Sequence, residues 1–128
     1  MASKSILVVE DNPANLQLVE FLLKSAGFTV SSACNGIEAI EKAGAGPFDL
    51  ILMDVEMPEM DGLTAARKIK GDPALAHIPV VALTSYAMKG DKERCLASGC
   101  SGYITKPIST REFVKTVSGF LEAGTGGL

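Results

Sequence analysis

The chain has 128 residues, 47% of them hydrophobic and 21% charged, with 12 basic against 15 acidic residues for a net charge of −3. That size suits a single domain that folds without disulfides or metal, and the composition is globular rather than disordered. A net negative chain with no basic cluster excludes a domain that binds nucleic acid by neutralising phosphates, and no apolar run approaches the length of a membrane span.

Ile6 to Val9 is a short run, apolar at every position, as expected of a strand covered on both faces. It ends in Glu10-Asp11, too soon for the core of a signal peptide, so a cytoplasmic protein is expected. Asp11-Asn12-Pro13 offers a cap followed by proline, a helix start. Leu16, Val19, Leu22, Leu23 and Ala26 follow at helical spacing, and Gly27 stops the helix. Phe28 to Ser32 alternates apolar and polar, which reads as a half-exposed edge strand. Asn35-Gly-Ile-Glu38 has the form of a capping box, opening a helix through Ala39, Ile40 and Ala43 that Gly44, Gly46 and Pro47 end.

Leu50 to Met53 is the second buried strand. Met57 to Gly62 is a turn-rich loop, and Leu63, Ala66 and Ile69 mark a helix face that Gly71-Asp-Pro73 breaks. Ile78 to Leu83 is the third buried strand. A fourth helix runs through Cys95 and Leu96 to Gly99; its sparse apolar face makes it the loosest element. Tyr103-Ile104 is a short fifth strand. Ser109-Thr-Arg-Glu112 is a second capping box, opening a fifth helix along Phe113, Val114, Val117, Phe120 and Leu121. The domain is expected to occupy residues 1–122, with a glycine-rich flexible tail over 123–128. Cys34, Cys95 and Cys100 have no metal-ligand spacing and are expected to be reduced, packed thiols. His77 falls in a loop, with a structural role expected.

Strands alternating with helices predict an α/β fold with a parallel sheet and helices on both faces. The continuously apolar strands, first, third and fourth, belong inside; the second and fifth belong at the edges. The expected order is 2-1-3-4-5, the flavodoxin-like doubly wound (βα)5 arrangement, with its switch point between the first and third strands. Glu10-Asp11 and Asp54 flank that point, and Thr84 and Lys106 follow the ends of two further strands.

Three carboxylates brought together repel one another and stay ionised only with a cation among them. Magnesium, or manganese, suits such a set: a hard ion held by one or two carboxylates plus a phosphate oxygen. Asp54 is the candidate nucleophile, a carboxylate able to form an acyl phosphate. Lys106 would place a positive charge on the transferring group, and Thr84 a hydroxyl. Tyr103 would turn inward when Thr84 moves. The plainer alternative makes these acids solvated loop residues, with Asp11 serving as the cap of the first helix.

Val9-Glu-Asp-Asn12, Leu52-Met-Asp-Val-Glu-Met-Pro58 with Gly62, Ala82-Leu-Thr-Ser85 and Tyr103-Ile-Thr-Lys-Pro107 occur in an order and spacing that resembles the receiver domain of bacterial two-component response regulators. The likeness spans about residues 4 to 122. It implies a phospho-acceptor switch at Asp54, catalysing only its own phosphorylation and dephosphorylation. It also implies a metal site of Glu10, Asp11, Asp54 and the main-chain carbonyl of Glu56, a catalytic Lys106 and Thr84, and a Thr84–Tyr103 switch pair. Asp11 is expected to be the direct ligand, with Glu10 acting partly through water. The implied partners are a sensor histidine kinase or histidine phosphotransferase, and a downstream protein read by the fourth helix, fifth strand and fifth helix face. The stretch Ala87 to Arg94, with Gly99-Cys100 and Lys106-Pro-Ile108, resembles stand-alone receivers of the DivK type; a receiver cut from a hybrid histidine kinase is the alternative.

Two other classes fit less well. A haloacid-dehalogenase-type phosphatase would carry its nucleophile after the first strand and a second Asp where Glu56 stands. A flavin mononucleotide carrier would need a hydroxyl- and glycine-rich loop after the first strand, where Glu10-Asp11-Asn12-Pro13 instead repels phosphate.

Overall fold

Ile6 to Val9, Leu50 to Met53 and Val80 to Leu83 are buried at every position. Strands without a polar face need cover on both sides, which a parallel sheet between helices provides. The computed structural model describes residues 4–45, 48–54, 62–73, 75, 78–84, 102–105 and 112–126. Its strands are β1 (Ser5–Val9), β2 (Thr29–Ala33), β3 (Leu50–Asp54), β4 (Val80–Thr84) and β5 (Gly102–Thr105). Its helices are α1 (Pro13–Ser25), α2 (Gly36–Ala45), α3 (Gly62–Gly71) and α4 (Phe113–Gly126). Helix α4 is the fifth helix expected from the sequence. The fourth, through Cys95 and Leu96, lies outside the described residues, as do the Met57 to Asp61 loop, His77, and Ser109 to Arg111 of the second capping box.

All strand pairs are parallel and the order is β2-β1-β3-β4-β5, as the apolar patterning predicts. Alternation along the strands divides the core in two. Leu7, Val9, Ile51, Met53, Val80 and Ala82 pack with Ala39 and Ala43 of α2 and Ile69 of α3. Ile6, Val8, Leu50, Leu52, Val81 and Leu83 pack with Val19 and Leu23 of α1 and with Phe113, Val117 and Leu121 of α4. The helix residues recur at intervals of four, the spacing that keeps one face toward the sheet.

The boundaries have local causes. Helix α1 ends where Gly27, at φ 94°, turns the chain left-handed. The Gly27 N–H bonds to the Lys24 carbonyl at 3.0 Å, and the Phe28 N–H to the Leu23 carbonyl at 3.1 Å. This is the paired pattern of a Schellman cap. Helix α2 carries Gly44 within it and ends at Ala45. The β4 strand starts at Val80 rather than Ile78. Pro79 has no N–H for the ladder and lends only its carbonyl, to Ile51 N–H at 3.0 Å; Ile78 N–H closes a turn onto Leu75 instead. Helix α4 continues past Ala123 into the glycine-rich stretch. Once a helix is anchored, each added residue gains a hydrogen bond, against about 1 kcal/mol for a glycine.

The free edge of β2 is covered at one point. The Ala33 carbonyl accepts from Glu10 N–H and so faces β1; that of Ser32, one residue back, faces outward. Lys42 Nζ of α2 donates to the Ser32 carbonyl, a lysine placed where an unpaired carbonyl would invite another strand. Among the described residues no helix is long and apolar enough to cross a membrane.

At the other edge, Cε1 and Cζ of the Phe120 ring stand where a Cβ on Gly102 would be placed. Overpacking of this kind costs about 1–3 kcal/mol. Gly102→Ala is expected to lower stability in chemical denaturation by that amount, and Phe120→Leu in the same chain to restore part of it.

Candidate functional site

The ladder decides which residues are level at the C-terminal end of the sheet. Val9 pairs with both Ala33 and Met53, so Glu10 is level with Asp54. Asp54 pairs with Leu83, and Thr84, one residue further, with Thr105. Tyr103 pairs with Ala82. Of Thr84 and Tyr103 only the backbone is described; Glu56 and Lys106 lie outside the described residues. The register therefore gathers Glu10, Asp11 and Asp54 at the β1/β3 switch point, with the end of β4 next in the row.

Glu10 is 2% exposed and Asp54 1%, the two buried charged side chains among the described residues; Asp11 is exposed. One carboxylate oxygen from each of the three lies within 4.8 Å of the others. At that separation each pair of full charges repels by roughly 3 kcal/mol at an effective dielectric of about 20. A divalent cation reverses the sign of that interaction. The donors are all hard oxygens, with Asp11 the exposed member, a set that fits magnesium.

The alternative in which Asp11 is spent as a helix cap does not hold. The cap of α1 is Asn12, whose Oδ1 accepts from Ala14 N–H at 2.9 Å and from Asn15 N–H at 3.2 Å. Pro13 follows at the first helical position. Asn12 N–H in turn donates to Glu10 Oε1 at 3.2 Å. The sequence signal for Asn12 was present, since asparagine before proline is a strong helix start, but its link to Glu10 is not readable from spacing.

This fold and this acid cluster define a class. The profile of the response regulator receiver domain matches residues 6–118, and the chain belongs to that family of phospho-acceptor switches in two-component signalling. The chain is 44% identical over 118 residues to the polar-differentiation response regulator DivK of Brucella anthropi, covering 92% of this chain and 96% of that one. A solved receiver domain of a Pseudomonas aeruginosa sensor histidine kinase, with a magnesium ion coordinated in its active site cleft, is also similar. It matches at a TM-score of 0.84 and 37% identity, covering 98% of this chain and 99% of that one. The chemotaxis protein CheY4 of Vibrio cholerae matches at 0.87 and 31% identity, covering 91% and 98%.

Next to the acids, one expectation is corrected. Cys34, level with Glu10 at the end of β2, is exposed rather than packed; Cys95 and Cys100 lie outside the described residues. Its Sγ donates to Glu38 Oε2 at 3.1 Å, and Lys42 Nζ meets Glu38 Oε1 at 3.2 Å. The bond to Glu38, then desolvation and the charge of Glu38, raise the Cys34 thiol above its ordinary value. The bonds from Cys34 and Lys42 lower the Glu38 carboxyl. A raised thiol holds its proton longer, so less thiolate is present near neutral pH. Cys34 is expected to alkylate more slowly at pH 8 than an ordinary exposed thiol, and Glu38→Gln to speed it, as timed by intact mass. The Glu38 pairing is present above the ordinary carboxylate range and is lost as pH falls through its lowered value. Glu38→Gln is therefore also expected to flatten the acid limb of the stability curve.

Proposed function

We propose that Asp54 accepts a phosphoryl group from a sensor histidine kinase or histidine phosphotransferase, and that a magnesium or manganese ion is held beside it by Glu10, Asp11, Asp54 and the main-chain carbonyl of Glu56. The observation that carries this reading is the burial of Asp54 level with Glu10, with an oxygen of Asp11 inside the same 4.8 Å cluster. An Asp54 oxygen attacks phosphorus in line; the new P–O bond forms as the donor P–N bond breaks, and the electron pair leaves with the imidazole. The bound cation supplies neutralisation of charge on the attacking and transferring oxygens. Little else is required, because phosphoryl transfer depends on positioning and electrostatics.

In this reading Lys106 lends a fixed positive charge to the phosphoryl group, and Thr84 donates a hydrogen bond to one of its oxygens. A hydrogen bond to a charged acceptor contributes about 1.5–3 kcal/mol, enough to bias a two-state surface tenfold or more. Tyr103 follows Thr84 inward. A downstream protein reads the change on β5 and α4, together with the segment around Cys95 that the sequence pattern predicts to be the fourth helix. The domain, read from the sequence as residues 1–122 with α4 running on to Gly126, works in the cytoplasm on no substrate beyond its own acyl phosphate. The 37% likeness to a receiver of a sensor histidine kinase supports a second reading, in which the same chemistry serves as the receiver portion of a hybrid kinase.

The test is incubation with magnesium and acetyl phosphate followed by intact mass. One phosphoryl adduct is expected, abolished by chelation of the metal and by Asp54→Asn; an adduct that survives Asp54→Asn overturns the assignment. Thr84→Ala is expected to take up the phosphoryl group and to lose most of the partner response.

A further inference from the structure

We propose that Asn12 is a positioning residue for the acid cluster: it couples the orientation of the buried Glu10 carboxylate to the anchored N-terminus of α1. The inference rests on the reading of Glu10, Asp11 and Asp54 as a cation site. Asn12 is used in two directions at once. Toward the helix, its Oδ1 accepts from Ala14 N–H at 2.9 Å and Asn15 N–H at 3.2 Å, and its carbonyl accepts from Leu16 N–H at 3.0 Å. Toward the site, its N–H donates to Glu10 Oε1 at 3.2 Å.

The backbone that serves both ends is held extended at φ −87°, ψ 116°, the region that a following proline imposes. The helix it caps is fixed in turn by Val19 and Leu23, both fully buried. Rigidity therefore passes from the core through α1 to Asn12 and on to the Glu10 carboxylate. The same arrangement leaves Asp11 outside the capping interaction, so its carboxylate stays with the cluster. A cap at position 11 would have drawn that charge toward the helix. Residues that orient ligands from behind typically change metal affinity by about 10–100-fold when lost. Here the connection runs through a main-chain N–H held in place by a side chain, so the expected change lies at the lower end.

The experiment is a calorimetric titration with magnesium alone, paired with thermal unfolding in the absence of metal, on four full-length chains: the parent, Asn12→Ala, Asn12→Ser and Gly27→Ala. Asn12→Ala is expected to weaken magnesium binding about tenfold. Asn12→Ser, an uncharged residue that caps about as well, is expected to retain nearly the parent affinity. Gly27→Ala loosens α1 from its other end and is expected to lower the unfolding temperature while leaving magnesium affinity unchanged. If Asn12→Ala behaves as Gly27→Ala does, less stable but with parent affinity, the positioning role is overturned and Asn12 is a cap only. If Asn12→Ser binds as weakly as Asn12→Ala, the coupling through the cap is overturned too. A parent chain that binds no magnesium, by heat or by a metal-dependent unfolding temperature, overturns the cation-site reading and this inference with it.

Discussion

The site depends on forcing two buried carboxylates to stand level against their repulsion. Left to itself, a chain would move Glu10 and Asp54 apart or into water. The β1/β3 ladder prevents this by tying Val9 to Met53 and carrying the pairing to the ends of both strands. The ladder is enforced from both faces. A fully buried Val, Leu or Ile contributes about 1.5–3 kcal/mol, and the eight apolar residues of β1 and β3 from Ile6 to Val9 and Leu50 to Met53 are all 0% exposed. A register slip of one residue would move every one of these side chains into the opposite apolar cluster, against the other pair of helices, and the fit of both layers would be lost. That penalty exceeds the few kcal/mol of charge repulsion, so the acids stay where a cation can use them.

Much of this was legible in the sequence because it depends on local pattern. The uninterrupted apolar runs gave the central strands, alternation in Phe28 to Ser32 gave the edge, and together they gave the order of the sheet. Glu10, Asp11 and Asp54 were legible because each comes directly after, or at the end of, one of those runs. The parts that were not legible arise between segments distant in sequence. Nothing near Gly102 announces that the Phe120 ring occupies the space of its missing side chain. Nothing near Cys34 tells that Glu38 and Lys42, one and two turns along α2, draw the thiol into a polar chain. The start of β4 was misplaced because apolar content extends to Ile78, while the hydrogen-bond pattern stops at the proline.

Lysines take a recurring role in this frame that charge counting does not suggest. Lys42 reaches the outward carbonyl of Ser32, and Lys70 Nζ reaches the Ile78 carbonyl at 2.6 Å. Both sit in the last turn of their helix and satisfy main-chain oxygens where the sheet begins or ends. Each lies partly buried with its head on a main-chain oxygen. They act as polar fasteners between layers, whereas Lys24 with Glu20 is a solvent-exposed pair worth little.

The division of the core into two clusters that share no residue gives the molecule an uneven tolerance to change. By strand alternation, Glu10 and Asp54 continue the series of Ile6, Val8, Leu50 and Leu52, which packs with α1 and α4. The opposite series packs with α2 and α3. Substitutions far apart with no shared neighbours combine nearly additively. The α2/α3 layer can therefore drift in size and shape with less effect on Glu10 and Asp54 than the same change in the α1/α4 layer.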